Sequence, residues 1–371
     1  MNKLIREDIL KIKPYEPGKP IEEVQRELGL KEVIKLASNE NPLGPSPKAV
    51  EAIRRSLSNL NRYPDGNSFY LRQKLAAKLK VKPENLIIGN GSDELIVLAI
   101  RALVNKGDEV IIAKPTFLVY EIAAQAVGAK IVFVPLKNFK YDLVAMKKKI
   151  NSRTKIIFIA NPDNPTGSYV NKKEVELFLK DLPNTVIVYF DEAYAEVVAE
   201  KDYPNTLKYL GLKNVIIARS FSKAYGLAGL RIGYAVSRPE FISYMNRVRE
   251  PFNVNSLAQV ASVAALDDKV FLKRTKNLLK EGKTYLYKSF KNLGLKYVPS
   301  ATNFILVDVK KDSSEIFRKL LKLGVIVRDM KAWKLNTFIR VTIGTSGENK
   351  KFIGALKKVL VQRSVKLYAK R

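Results

Sequence analysis

Residues 218–234 read Ala218-Arg-Ser-Phe-Ser-Lys-Ala-Tyr-Gly-Leu-Ala-Gly-Leu-Arg-Ile-Gly-Tyr234 and follow the apolar run Asn214-Val-Ile-Ile-Ala218. A strand-like run that ends in two hydroxyls, a lysine and a small-residue turn presents Lys223 at a strand end. Ser220 and Ser222 can donate hydrogen bonds, and Arg231 carries the planar fork that matches phosphate oxygens. An amine beside a phosphate site points to a Schiff base with a phosphorylated aldehyde, the way pyridoxal 5'-phosphate is held. In a lysine-rich chain the same loop could be a solvated surface turn, so the flanking sequence has to decide.

Working back from it, Thr185-Val-Ile-Val-Tyr-Phe190 reads as a strand that ends in Asp191-Glu-Ala-Tyr194. A carboxylate there can keep a ring nitrogen protonated, and Tyr194 can hydrogen-bond the ring's phenolic oxygen. The strand Lys155-Ile-Ile-Phe-Ile-Ala160 runs into Asn161-Pro-Asp-Asn-Pro-Thr-Gly167, where prolines hold Asn164 ready to offer its amide to the same oxygen. The strand Glu109-Val-Ile-Ile-Ala113 leads to Phe117, which can stack on a flat heteroaromatic ring or fill the core. Asn85-Leu-Ile-Ile-Gly89 leads through Gly91, Ser92 and Asp93 into an apolar helix over 95–104, an anion cradle or an ordinary capped helix. With Lys130–Pro135 these runs form strand, helix, strand units from Leu86 to Tyr234. The pattern predicts an α/β fold, a mostly parallel sheet wrapped by helices, with ligands at the strands' carboxyl ends.

Helices are expected over 239–248, 256–266 and 268–293, then strands over 302–308, 324–329 and 338–344 around a helix at 315–323. The expected organisation is an amino-terminal arm (1–35) packed with a small α+β domain (266–371), and a large domain between them (36–265). The arm carries the turn Pro14-Tyr15-Glu-Pro17-Gly18 and a helix Ile21–Leu28; with the long helix near 268–293 it is expected to lid the site. Arg328 and Arg340 stand alone in apolar runs. They read as anchors for substrate anions, or as strand residues turned to water.

Composition sets the bounds. The 371 residues include no Cys and no His, so thiolate and imidazole chemistry and disulfides are excluded. No apolar run reaches membrane-span length, and the start of the chain lacks a signal-peptide core, which predicts a cytoplasmic protein. The formal charge of +30 invites a nucleic-acid-binding reading. The basic residues are nevertheless spread along the chain rather than gathered with aromatics, so no specific nucleic-acid partner is expected.

The Lys223 segment resembles the lysine signature of the fold-type I, pyridoxal-phosphate-dependent aminotransferases. More narrowly, Ser38-Asn-Glu-Asn41, Arg62-Tyr-Pro-Asp-Gly66, Arg340-Val-Thr-Ile-Gly-Thr345 and the Tyr15 arm are similar to those of histidinol-phosphate aminotransferases. The resemblance runs from about Tyr15 to about Glu348. It implies transfer of the amino group of histidinol phosphate to 2-oxoglutarate, with Lys223 and Asp191 catalytic. It places Tyr15 and Asn39 near the substrate and makes the chain a homodimer in which Tyr63 reaches the neighbouring subunit's cofactor phosphate. Phe117 stands where many relatives have a tyrosine. An aromatic amino acid aminotransferase on the same scaffold is the alternative; a phosphothreonine decarboxylase of similar fold is more remote.

Overall fold

The apolar runs become strands whose ends define one side of the molecule. In the computed structural model, which describes residues 4–16 and 18–361, a short strand β1 (Ile34–Lys35) precedes seven others. These are β2 (Leu86–Gly89), β3 (Glu109–Lys114), β4 (Lys130–Pro135), β5 (Thr154–Ala160), β6 (Ile187–Asp191), β7 (Val215–Ser220) and β8 (Gly233–Val236). They form one sheet in the order β2-β8-β7-β6-β5-β3-β4. Every pair is parallel except those made by β8, which is antiparallel to both β2 and β7. Thus β2 runs the same way as β7, and its carboxyl end opens on the same side as those of β5 and β6.

Strands β2, β6 and β8 are buried along their whole length, as expected of a sheet covered by helices on both faces. One core packs Leu95, Tyr120 and Phe178 on Ile111, Phe158 and Val188. The other packs Leu71, Ala258 and Phe221 on Tyr234 and continues to Phe290, Phe304 and Phe352. Helix starts follow local chemistry: Asn171 and Glu174 form a reciprocal capping box on Lys172–Lys180, and Asp268 caps Lys269–Asn292.

The remaining strands are β9 (Lys296–Tyr297), β10 (Phe304–Asp308), β11 (Val325–Ile326), β12 (Arg328–Asp329) and β13 (Phe338–Thr342). A four-stranded antiparallel sheet has the order β12-β13-β10-β9. The run 324–329, expected as one strand, is split between two sheets: β11 pairs in parallel with β1, and β12 with β13. The arm is tied in by that pairing and by Val24, which packs with Leu321 and Ile326. Met1–Lys3, Pro17 of the expected turn and residues 362–371 of the expected small domain lie outside the described residues. No described helix is long and apolar enough to cross a membrane, and the described residues hold no cluster of metal-binding side chains.

Candidate active site

A cleft of about 350 Å³ opens at the carboxyl ends of β5, β6 and β7 and reaches β12 and β13. Tyr15, Asn39, Ser92, Asp93, Phe117, Asn164, Asp191, Tyr194, Ser220, Ser222, Lys223, Arg231, Arg328 and Arg340 all line it. Gly91 sits just behind the lining. Tyr63 lies elsewhere, 83% exposed, stacked on Phe252 at 4.8 Å between ring centroids. The helix 269–292 contributes no lining residue, so of the two expected lid pieces only the arm, through Tyr15 and Gly18, borders the cleft.

One end of the cleft is built for an anion. The helix Gly91–Leu103 starts there, and the first amides of a helix have no partner within it. Arg231, held in the left-handed region at φ 53°, lays its guanidinium against that start. A Cβ on Gly91 would lie 2.6 Å from Arg231 Nη2, and one on Gly233 would lie 2.8 Å from the Ser92 nitrogen, so glycine at both positions permits the close approach. Ser220 Oγ accepts from the Ser222 N–H at 3.1 Å and keeps its own proton to donate. The Asp93 carboxylate does not offer a donor, since it accepts from Arg231 Nη2 at 3.1 Å and steadies the guanidinium.

At the other end stand the titratable groups. Lys223 is half-buried against Tyr194, its Nζ 5.9 Å from the ring centroid, and no described side chain pairs with it. Burial, with the Arg340 charge adding to it, lowers its ammonium from 10.5 to about 8. Asp191 closes β6 and is also buried; its carboxyl is pushed up to about 6, chiefly by burial. Its partners are the Tyr120 hydroxyl, donating at 2.6 Å, and the Ala193 N–H at 3.1 Å, with no cation among them. Tyr194 accepts from Asn39 Nδ2 at 3.0 Å, which leaves its own proton free to point into the cleft. Asn39 is fixed in turn: its N–H donates to Thr342 Oγ1 at 2.9 Å and its carbonyl accepts from Asn303 Nδ2 at 2.8 Å.

The two arginines do not turn to water. Arg340 is 5% exposed and donates to Asn164 Oδ1 and, at 2.9 Å, to the Ala37 carbonyl. Arg328 donates to the Glu16 carbonyl at 2.6 Å and lies over the rings of Tyr15 and Trp333. The Nε of each is buried without a hydrogen-bond partner, an arrangement that costs stability unless a ligand supplies an acceptor.

Sequence reading passed over Tyr120, Thr342 and Trp333. Tyr120 follows Phe117 by one helical turn, and that spacing was its only signal. Trp333 steadies the loop of Phe117 by donating from Nε1 to the Thr116 carbonyl at 2.8 Å. Asp163 sits beneath Asn164, accepting from the Thr116 and Thr166 hydroxyls, its carboxyl raised by burial to about 6.

A lysine, a buried carboxylate and an anion cradle at the carboxyl ends of such a sheet's strands suit a pyridoxal-phosphate enzyme, and the family model described as aminotransferase class I and II matches residues 31–356. The chain belongs to that family, within it to the histidinol-phosphate aminotransferases. The histidinol-phosphate aminotransferase of Moorella thermoacetica is 56% identical over 357 residues, covering 96% of this chain and 92% of that protein. That of Caldicellulosiruptor saccharolyticus is 49% identical over 358 residues, covering 96% and 100%. Among solved structures, the crystal structure of histidinol-phosphate aminotransferase from Sinorhizobium meliloti in complex with pyridoxal-5'-phosphate superposes with a TM-score of 0.88. The two are 31% identical, with 96% of this chain and 97% of that one covered.

Proposed function

We propose that this chain is a pyridoxal-phosphate-dependent aminotransferase that exchanges the amino group of histidinol phosphate with 2-oxoglutarate in histidine biosynthesis. The observation that carries the reading is the pairing, in one cleft, of a half-buried lysine lowered to about 8 with a buried carboxylate that has no cation partner. The cleft fits the cofactor on its own terms: an uncompensated carboxylate calls for a protonated ring nitrogen, and the Gly91, Ser92 and Arg231 cradle calls for a phosphate.

In this reading Gly91, Ser92, Asp93, Ser220, Ser222 and Arg231 hold the phosphate, the backbone and hydroxyls donating while Asp93 acts through Arg231. Phe117 would cover a face of the cofactor ring, and Asn164 and Tyr194 would donate to its phenolic oxygen. Bound there, pyridoxal phosphate supplies an aldehyde that takes up the amino group and a conjugated ring that accepts an electron pair from the substrate carbon. Asp191 offers its negative charge to the ring nitrogen. Lys223, with its ammonium lowered towards neutrality, can both take and return a proton at Nζ, the requirement for a general base that also serves as acid. Arg340 and Arg328 provide two anion anchors, useful where one substrate presents a phosphate and the other carboxylates; Tyr15 and Asn39 complete the substrate side.

We further assign the chain to a cytoplasmic homodimer with an arm (1–35), a large domain (36–265) and a small domain (266–371). An exposed apolar group supports the dimer: Leu57, Leu60, Tyr63, Phe69, Tyr70 and Phe252 all leave a third or more of their surface to solvent, more than scattered surface residues need. The substrate test is a half-reaction. Cofactor-loaded enzyme is mixed separately with histidinol phosphate, phenylalanine and glutamate, and the change in cofactor absorption is followed. Reaction with histidinol phosphate at far lower concentration than with phenylalanine supports the assignment; the reverse would make the protein an aromatic amino acid aminotransferase.

A further inference from the structure

Tyr120 is buried completely, and its ring is fixed on two sides: it stacks on Phe158 at 4.6 Å and 13° and meets the edge of Phe117 at 5.7 Å. Its hydroxyl therefore has one direction to point, and it donates to Asp191 Oδ2 at 2.6 Å. Asp191 Oδ1 is held by the Ala193 N–H, so both carboxylate oxygens are anchored and the plane of the group is set. Phe117 caps the helix Leu118–Ala126 that carries Tyr120. A single turn of chain thus supplies both the proposed ring-stacking aromatic and the clamp on the proposed ring-nitrogen partner.

We propose that Tyr120 is a positioning residue of this enzyme, whose hydroxyl fixes the orientation of the Asp191 carboxylate and favours its ionised form. The inference rests on the reading of Asp191 as the ring-nitrogen partner. A hydrogen bond donated to a carboxylate stabilises the anion, and a neutral tyrosine does so without the opposing charge that would remove the carboxylate's attraction for a pyridinium. The neighbouring acids act the other way. Asp93 and Glu192 both raise the Asp191 carboxyl, Asp163 lies near enough to feel its charge, and Tyr189 and Tyr194 face it as neutral groups. Lys223 lines the same cleft. Among these, Tyr120 is the side chain that hydrogen-bonds the carboxylate and favours its ionisation.

The test is the affinity of the cofactor-free, full-length enzyme for pyridoxal phosphate, measured by fluorescence titration between pH 5 and 8 for wild type, Tyr120→Phe and Asp191→Asn. A protonated Asp191 cannot pair with a protonated ring nitrogen, so wild-type affinity falls as pH drops through about 6. Losing the tyrosine hydroxyl should move that midpoint upward by about one pH unit, the size expected of one hydrogen bond to a charged group. Affinity that weakens equally at every pH, with the midpoint unmoved, would overturn the role of Tyr120 and leave it as packing. If Asp191→Asn keeps the wild-type midpoint, the assignment of Asp191 itself fails, a result separable from the first.

Discussion

Arg328 and Arg340 are register partners on β12 and β13, so two guanidinium groups rise from the same face of one sheet and border the same cleft. Like charges directly opposite on neighbouring strands repel. The repulsion is offset by the contacts of each: Arg328 lies over two aromatic rings and donates to the Glu16 carbonyl, and Arg340 donates to Asn164 and the Ala37 carbonyl. Arg340→Gln should lower kcat/KM by about 10²- to 10³-fold, the value of two charge-assisted hydrogen bonds. Arg328→Gln should cost less and change the ratio between phosphorylated and unphosphorylated amines. Steady-state kinetics with both substrate types checks both outcomes.

Lys223 is costly to desolvate. A drop of its ammonium from 10.5 to about 8 corresponds to about 3 kcal/mol against the folded state. The penalty is full below pH about 8, where the folded chain must carry the charged form, and vanishes above about 10.5, where lysine is neutral folded or unfolded. Lys223→Met should therefore abolish turnover while stabilising the cofactor-free protein at pH 7, with the gain fading as pH rises between those values. Urea unfolding across that range measures it.

Tyr63 makes no contribution to the cleft of its own chain, yet stands exposed on Phe252. If it serves the partner subunit, Lys223→Ala and Tyr63→Ala are defects of different chains at one site. Each variant alone should be impaired, whereas unfolding, mixing and refolding the two should restore activity: a mixed dimer has one site with both residues intact. Activity no higher than the average of the two parents would count against the shared site.

Arg219 and Glu192 form a buried bridge one residue away from Ser220 and Asp191, with Arg219 Nε and Nη2 at 2.9 and 2.8 Å from Glu192 Oε2. Glu192 has no exposed side-chain surface and also accepts from the Thr206 hydroxyl. Removing the cation in Arg219→Met strands a buried charge and should cost about 3–5 kcal/mol, while adding Glu192→Gln should recover part of the loss. Denaturant midpoints of the single and double variants decide.

The strand ends that carry Asn164, Asp191 and Lys223 were legible because apolar runs followed by special residues are local signals. Tyr120 and the Arg219–Glu192 bridge were not, because their partners lie 71 and 27 residues away and are found only once the strands are laid side by side. The reversed direction of β8 was equally hidden, since a buried strand reads the same either way. The run 324–329 looked like one strand because its apolar pattern is unbroken; the arm strand β1 claims its first half, and a strand two residues long has no periodicity to announce it.

Strand β2 sits at the edge of the large sheet and its one strand partner there is β8, which arrives about 150 residues later in the chain. The glycine of β8 that allows close approach to Ser92 is therefore among the last parts of the large sheet to be synthesised. During synthesis the proposed phosphate cradle has no far wall until Val236 has left the ribosome. The cradle is thus complete only once the edge of the sheet has closed, which ties the phosphate site to the last strand pairing of the large sheet.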